Sequence, residues 1–217
     1  MNPDNASVAG NARHRQKPAV RKVCADELPQ VANTLARAFF DDPPTRWVIP
    51  DDTCRKQRLE KLFHLWMRTL WLAQGECLTT VDHAGAAMWI PPGGWETPVL
   101  QQLLLLPGMA LRGGRFTGRL LRAINGLESR HPHTPHFYLP FAGVVPARQG
   151  QGIGATLLTP VLERCDRDAV PAYLEASSPI NRRLYERHGF VVTEAFRFAD
   201  DAPPLWRMWR EPKKRGD

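Results

Sequence analysis

The sequence predicts a mixed α/β (α+β) fold, a sheet flanked by helices, and three stretches carry that prediction. Residues 137–145 are aromatic, β-branched and apolar without alternation, as in a strand buried on both faces. The glycine-rich turn Arg148-Gln149-Gly150-Gln151-Gly152-Ile153-Gly154 then leads into a helical apolar pattern from Ala155. Residues 76–81 and 85–90, joined by Asp82-His83-Ala84, read as a β-hairpin, and residues 191–198 and 205–210 as a closing antiparallel pair. A length of 217 residues suits one domain with a full hydrophobic core. Residues 1–17 are polar and without periodicity, which predicts a disordered leader; 18–212 form the domain and 213–217 a basic tail.

Taken in order, residues 18–23 make a first strand. Asp26 is placed to cap a helix on which Leu28, Val31, Ala32, Leu35 and Phe39 follow helical spacing, with Pro29 tolerated in the first turn. Asp41-Asp42-Pro43-Pro44 stops it. A second helix starts near Asp52 or Thr53 and carries Leu59, Leu62, Phe63, Trp66 and Leu70 on one face. Phe40, Asp41, Asp42 and Trp47 lie between the two helices, either as a capped turn on the core or as one wall of a pocket for a cationic amine. After the hairpin, residues 99–127 are helical in character but interrupted at Pro107-Gly108 and Gly113-Gly114, so two short helices are expected. Arg112, Arg115, Arg119 and Arg122 share a face of the second, which reads as solvated, contact with a phosphate or acidic partner being the other reading. His131-Pro132-His133-Thr134-Pro135-His136 offers three imidazoles, but its prolines hold it extended and no carboxylate or thiol lies nearby, so a surface loop is expected rather than a metal site.

Pro146 ends the central strand, because proline cannot donate to a ladder. Leu157, Leu158, Val161, Leu162 and Cys165 form the buried side of the next helix, with Pro160 at a kink. Residues 171–177 are the next strand, and Gly189 supplies the left-handed stop of the helix through Tyr185.

The net charge of +7 does not mark a nucleic-acid reader: six of the seven charges come from residues 1–22 and 210–217, and the middle is close to neutral. The four cysteines, Cys24, Cys54, Cys77 and Cys165, are widely spaced and read as reduced cytoplasmic thiols, with neither a disulfide framework nor a metal site. The longest apolar stretch, 103–111, is broken by Pro107 and Gly108, so neither a membrane span nor a signal peptide is expected.

A strand, a glycine turn and a helix make an anion site, because glycines let a ligand approach the backbone and the first helical N–H groups lack intrahelical partners. The turn lacks the Gly-Lys-Ser/Thr ending of a nucleotide-triphosphatase loop, and Gly150-x-Gly152-x-Gly154 is not the G-x-G-x-x-G of a dinucleotide loop. It matches Gln149-x-x-Gly152-x-Gly154, and further on Asn181-x-x-x-Tyr185-x-x-x-Gly189-Phe190 follows the next strand. Together these motifs resemble the GNAT superfamily of N-acetyltransferases. Residues 35–50, 137–146, 149–160, 170–177 and 185–190 and the final Leu-Trp-Arg-Met-Trp-Arg are similar to the puromycin N-acetyltransferase group within it, while residues 91–136 depart from that pattern.

The resemblance implies a GNAT-like mixed, mostly antiparallel twisted sheet with a V-shaped splay between strands 137–145 and 171–177, with acetyl-coenzyme A as co-substrate in the gap. Val144 and Val145 would face the pantetheine, Gln149, Gly150, Gln151, Gly152, Ile153, Gly154 and Ala155 the pyrophosphate, and Asn181 the same coenzyme. Tyr185 would protonate the leaving thiolate. Glu175, a carboxylate in an apolar strand, is the candidate base, a buried ion pair being its alternative role. Phe40, Asp41, Asp42, Trp47 and Trp89 are the candidate acceptor contacts, although aromatic residues at such spacing also build cores. The expected activity is acetyl transfer to a primary amine of a small molecule, an antibiotic or metabolite, by a cytoplasmic monomer or homodimer that binds no metal, nucleic acid or membrane. A protein N-acetyltransferase and a non-catalytic coenzyme-A-binding module are the rival readings.

Overall fold

The structure, a computed structural model, describes residues 18–74, 76–96 and 99–213. The leader and the last four residues of the tail lie outside the described residues, as do the side chains of residues 74, 99 and 102.

Seven strands form one sheet in the order β1-β2-β3-β4-β5-β7-β6 among the described residues. They are β1 (Val20–Lys22), β2 (Glu76–Thr80), β3 (Gly85–Ile90), β4 (Phe137–Val144), β5 (Ala172–Ala176), β6 (Val191–Phe196) and β7 (Leu205–Arg210). Every neighbouring pair is antiparallel except β4 and β5, which run parallel. The expected mixed, mostly antiparallel sheet is therefore the observed one, with both hairpins in place.

Helix α1 (Leu28–Ala38) is not capped by Asp26, which sits inside a short 3-10 turn (Ala25–Glu27). Glu27 precedes α1 without a side-chain cap bond to it; its carboxylate instead closes the 3-10 turn, accepting from the Cys24 N–H at 3.0 Å, and is paired with Arg21 and His83, and these partners hold it well below the usual carboxylate range. Pro43 and Pro44, expected only to stop a helix, also begin α2 (Pro43–Val48), because proline is preorganised for a first turn. Helix α3 (Asp52–Trp66) starts at Asp51, whose side chain accepts from the Thr53 N–H at 3.1 Å. It runs on through a π-helical turn (Met67–Trp71) into α4 (Leu72–Gln74).

Pro107 does not divide residues 99–127; α5 (Val99–Gly113) continues through it, and the break falls at Gly114, whose φ of +56° suits a residue without Cβ. The Arg119 and Arg122 guanidiniums of α6 (Thr117–Glu128) lie 5.2 and 5.4 Å above the Trp47 ring, and Arg119 Nη1 donates to the Trp47 carbonyl at 2.7 Å. Arg115 and Arg122 pair with Asp51 and Asp201. The face expected to be solvated therefore fastens α6 onto α2, through cation–π contact and charge-assisted hydrogen bonds.

Each face of the sheet carries an apolar core. One gathers Val31, Leu35, Leu62, Phe63, Met88 and Ile90 under α1, α3, α5 and α6. The other gathers Leu78, Trp89, Leu139, Leu157, Val161 and Leu174 under α7 (Ile153–Asp168) and α8 (Pro179–Glu186). The four thiols are free, and burial pushes those of Cys77 and Cys165 up to about 12. Among the described residues no helix is long and apolar enough to cross a membrane.

Candidate active site

The parallel pair β4 and β5 stays in register only over Phe137↔Ala172, Tyr138↔Tyr173 and Leu139↔Leu174. Beyond Leu139 the strands part. Pro140 has no N–H to donate, and the β3–β4 register shifts between Met88 and Ile90 at the same level, so a bulge re-aims β4 where its pairing with β5 ends. Val145 N–H donates to the Ala84 carbonyl at 2.9 Å, on the β3 side. Successive residues of a strand direct their amides to opposite sides, so Val144 points its own peptide groups into the gap. Val145, expected to face the coenzyme, offers the gap no free N–H: that group is taken by Ala84, and its carbonyl already accepts from the Arg148 N–H at 2.9 Å.

The glycine turn closes one end of the gap. Gly150 and Gly152 have φ of +72° and +80°, and a Cβ at either would meet nothing within 4 Å, so the backbone there faces open space. Gly152 caps α7, whose first intrahelical bond is Thr156 N–H to the Gly152 carbonyl at 3.1 Å. The N–H groups of Ile153, Gly154 and Ala155 are thus the partnerless donors of a helix N-terminus, with no acidic side chain in the first turn. Arg148 braces the turn, donating from Nε to Gln151 at 3.0 Å and from Nη1 to Asp82 at 2.8 Å. The Gln149 side chain donates to the Val144 carbonyl at 3.1 Å, linking the turn to the gap. The Arg148–Asp82 brace ties the turn to the connection between β2 and β3, and the Gln149 bond ties it to the end of β4.

At the other end lies a cavity of about 260 Å³ on the α1 side of the sheet. Phe39, Trp66, Trp71 and Phe141 form an aromatic wall, with Phe141 5.4 Å from Phe39 and Trp71 and stacked 6.0 Å from Trp66. The π-helical turn connects Trp66 to Trp71 and brings both rings to the cavity.

Two polar clusters interrupt the apolar lining. The first joins Asp42, Ser177, Asn181 and Tyr185. Ser177 donates its hydroxyl hydrogen to Asp42 and receives the Asn181 amide at 3.4 Å. Burial pushes the Asp42 carboxyl up to about 6 against the pull of that hydroxyl. Tyr185 is buried, and its hydroxyl is raised by burial first and by the nearby Asp42 charge second. No hydrogen bond engages that hydroxyl among the described residues.

The second cluster centres on Glu175, which is deep in the molecule yet keeps part of its surface open to the cavity. Burial pushes its carboxyl up to about 7, opposed by hydrogen bonds from Tyr173 and Tyr138 and by the Arg207 charge. Tyr173 donates to Glu175 at 2.7 Å and accepts from Arg207 Nε at 3.3 Å. Glu175 forms no ion pair among the described residues: Arg207, opposite it on β7, pairs with Glu194 at 2.8 Å and hydrogen-bonds to Tyr173, so its charge acts on Glu175 without a salt bridge.

Of the acceptor contacts expected from sequence, Asp42 alone lines this cavity. Asp41 is exposed, Phe40 lies under the Arg55 guanidinium at 4.9 Å, and Trp47 is enclosed by Arg119, Arg122 and Phe198. Trp89 is fully buried on the α7 side, because a strand turns alternate residues to opposite faces and its neighbours Met88 and Ile90 take the α1 side. Tyr138, Tyr173 and Ser177 escaped sequence reasoning. The signal for two of them was present, because Tyr173 and Glu175 on β5 and Ser177 just past its end are spaced by two, the period of residues on one face of an extended chain. His131 and His136 are buried, not on a surface loop; only His133 of the three imidazoles is exposed.

The sequence model for the acetyltransferase (GNAT) domain matches residues 124–208. An uncharacterized N-acetyltransferase of Schizosaccharomyces pombe is 31% identical over 211 residues, covering 90% of this chain and 84% of its own length. A crystal structure described as histone acetyltransferase HPA2 and related acetyltransferase, from Corynebacterium glutamicum, superposes with a TM-score of 0.71 at 25% identity, over 93% of this chain and 99% of that one. A Drosophila melanogaster polyamine N-acetyltransferase shares the fold, with a TM-score of 0.57 at 14% identity over 89% of this chain and 99% of that one.

Proposed function

The chain belongs to the GNAT family of N-acetyltransferases, whose members use acetyl-coenzyme A, and from that premise we propose that it acetylates the primary amine of a small molecule held in the aromatic cavity. The observation that carries this reading is Glu175, a carboxylate raised to about 7 at the cavity wall beside the point where β4 and β5 part. A base must be ionised for part of the population near neutrality to take a proton from an ammonium or an attacking amine, and this carboxylate is so poised.

Gln149, Gly150, Gln151, Gly152, Ile153, Gly154 and Ala155 would hold the coenzyme's pyrophosphate, with Val144 and Asn181 along its pantetheine. The co-substrate supplies an activated acetyl thioester. Glu175, directly or through one water, removes the proton that the amine loses as its nitrogen bonds to the acetyl carbon. Val144 N–H in the gap suits the carbonyl oxygen on which negative charge develops. Tyr185 gives its proton to the departing sulfur, with Asp42 close enough to bias its acidity. No cysteine lines the cavity among the described residues, in keeping with direct attack rather than an acetylated enzyme.

The cavity supports a small acceptor. It is enclosed by aromatic side chains, and its charged lining is acidic, Asp42, Glu128 and Glu175, with neither lysine nor arginine among the described lining residues. A protonated amine is drawn to such a site even in a chain of net charge +7. The Drosophila neighbour, which forms N-acetylagmatine, is consistent with an amine acceptor. An amine-bearing antibiotic or metabolite fits these terms. The test is free-thiol release from acetyl-coenzyme A with a panel of monoamines, diamines, aminonucleosides, aminoglycosides and lysine peptides. Turnover with a small amine is expected; turnover confined to lysine peptides would overturn the small-molecule assignment.

A further inference from the structure

The paired imidazoles of the 131–136 segment have no part in the chemistry above, yet one of them lines the cavity. His131 and His136 are 7% and 1% exposed and meet Nε2 to Nε2 at 3.0 Å. The proton between them can be located. His136 Nδ1 lies 2.6 Å from the Thr134 carbonyl, an oxygen that can only accept, so Nδ1 carries the hydrogen. In the neutral ring His136 Nε2 is then a bare lone pair, and the hydrogen in the 3.0 Å contact belongs to His131 Nε2. His131 Nδ1 is left as an acceptor, and no hydrogen bond engages it among the described residues.

The surroundings keep His131 in that form. Its ring stacks on Trp95 at 4.0 Å and meets the rings of Tyr138 and Tyr173 at 4.6 and 5.1 Å, so charging it means charging a nearly dry aromatic box. Burial first, and then the repulsion a second positive charge would meet from Arg207 and from the neighbouring imidazoles were they protonated, pull its pKa down to about 3. The other polar group at this end of the cavity, the Glu128 carboxylate, also accepts when ionised.

We infer that His131, locked by His136 into an acceptor tautomer, is a specificity-determining residue of the acceptor pocket. It selects amines that carry a second N–H or O–H donor away from the reacting nitrogen. The inference rests on the cavity being the acceptor site. A site built to accept a hydrogen bond discriminates against an analogue lacking the donor, because its own polar group is left unpaired.

The test has two arms. In the first, long-range nitrogen–proton NMR of protein labelled at histidine reads the tautomer without any acceptor. His131 Nε2 protonated and Nδ1 bare from pH 5 to 8 is expected; a protonated Nδ1, or titration near the ordinary histidine value, overturns the inference whatever the substrate. In the second, thiol release compares 1,4-diaminobutane with butylamine and tyramine with 2-phenylethylamine. Wild type should favour a donor-bearing member at least about tenfold in kcat/KM. His131→Phe should erase that ratio, and His136→Phe, which removes the lock but leaves His131, should reduce it. Stabilisation by acetyl-coenzyme A reports that each variant is folded. A ratio near one in wild type, or one that survives His131→Phe, overturns the inference. No turnover of these or any panel amine would instead strike at the cavity's assignment as the acceptor site.

Discussion

Replacing Glu175 by glutamine keeps the shape of the side chain and removes its charge, and the structure sets the size of two opposite effects. Moving a carboxyl from its ordinary 4.5 to about 7 means that the folded protein prefers the protonated form by about 3 kcal/mol, at ~1.4 kcal/mol for each tenfold in acidity. Between those values the folded state holds a proton that the unfolded chain gives up. Stability from this group is therefore complete below pH 4.5 and lost as pH rises through about 7. The glutamine variant has no such loss, so its melting temperature relative to wild type should climb over that window by about 6 to 12 °C for a chain of this size. Asp42, raised to about 6, is present in both proteins and cancels in the difference. Catalysis runs the other way. Only the ionised carboxylate accepts a proton, so wild-type turnover rises as its stability falls, and at pH 8 the variant should be slower by roughly 10²- to 10⁴-fold. Thermal melts from pH 4 to 9 and initial rates over the same range read both effects. Parallel melting curves would refute the burial argument. Full turnover of the variant, with the chemical step shown to be limiting, would remove Glu175 as the base.

The coenzyme assignment predicts that acetyl-coenzyme A raises the melting temperature of the wild-type protein and that Gly152→Val and Gly154→Val abolish the increase. Without ligand the two should differ. Gly152 sits at φ of +80°, where a side chain costs about 1–2 kcal/mol, whereas a Cβ at Gly154 meets only Leu184 Cδ2 at 3.1 Å. An undiminished ligand shift in either variant would place the coenzyme elsewhere. Tyr185→Phe should keep that shift while turnover falls at least about tenfold at neutral pH, and unchanged turnover under a limiting chemical step would exclude the hydroxyl from catalysis.

The parts of this fold visible in the sequence are those specified by neighbours along the chain. The hairpin, the central strand, the glycine turn and the left-handed Gly189 each announce themselves by local pattern. Glu175 stood out because a carboxylate in an apolar strand is costly. What remained hidden depends on partners distant in sequence. The prolines 43 and 44 end one helix and start another, and the contacts that hold that short helix in place include the Arg119, Arg122 and Phe198 side chains, more than seventy residues away. The π-helical turn has no composition of its own. His131 and His136 looked exposed between prolines, because nothing local shows that Trp95, Tyr138, Tyr173 and Trp209 close around them.

An open sheet ordinarily has two edges, and this one has four. The parting of β4 from β5 after Leu139 creates two more at its centre. Outer edges invite pairing with other chains, and proteins must guard against it. The inner edges face each other across a cleft that closes to hydrogen-bonding distance at its apex, where Leu139 and Leu174 pair, so another chain entering the cleft could not run on past that point. The unpaired peptide groups that would be an aggregation hazard on the rim are, in the interior, sheltered from other chains by the strand opposite.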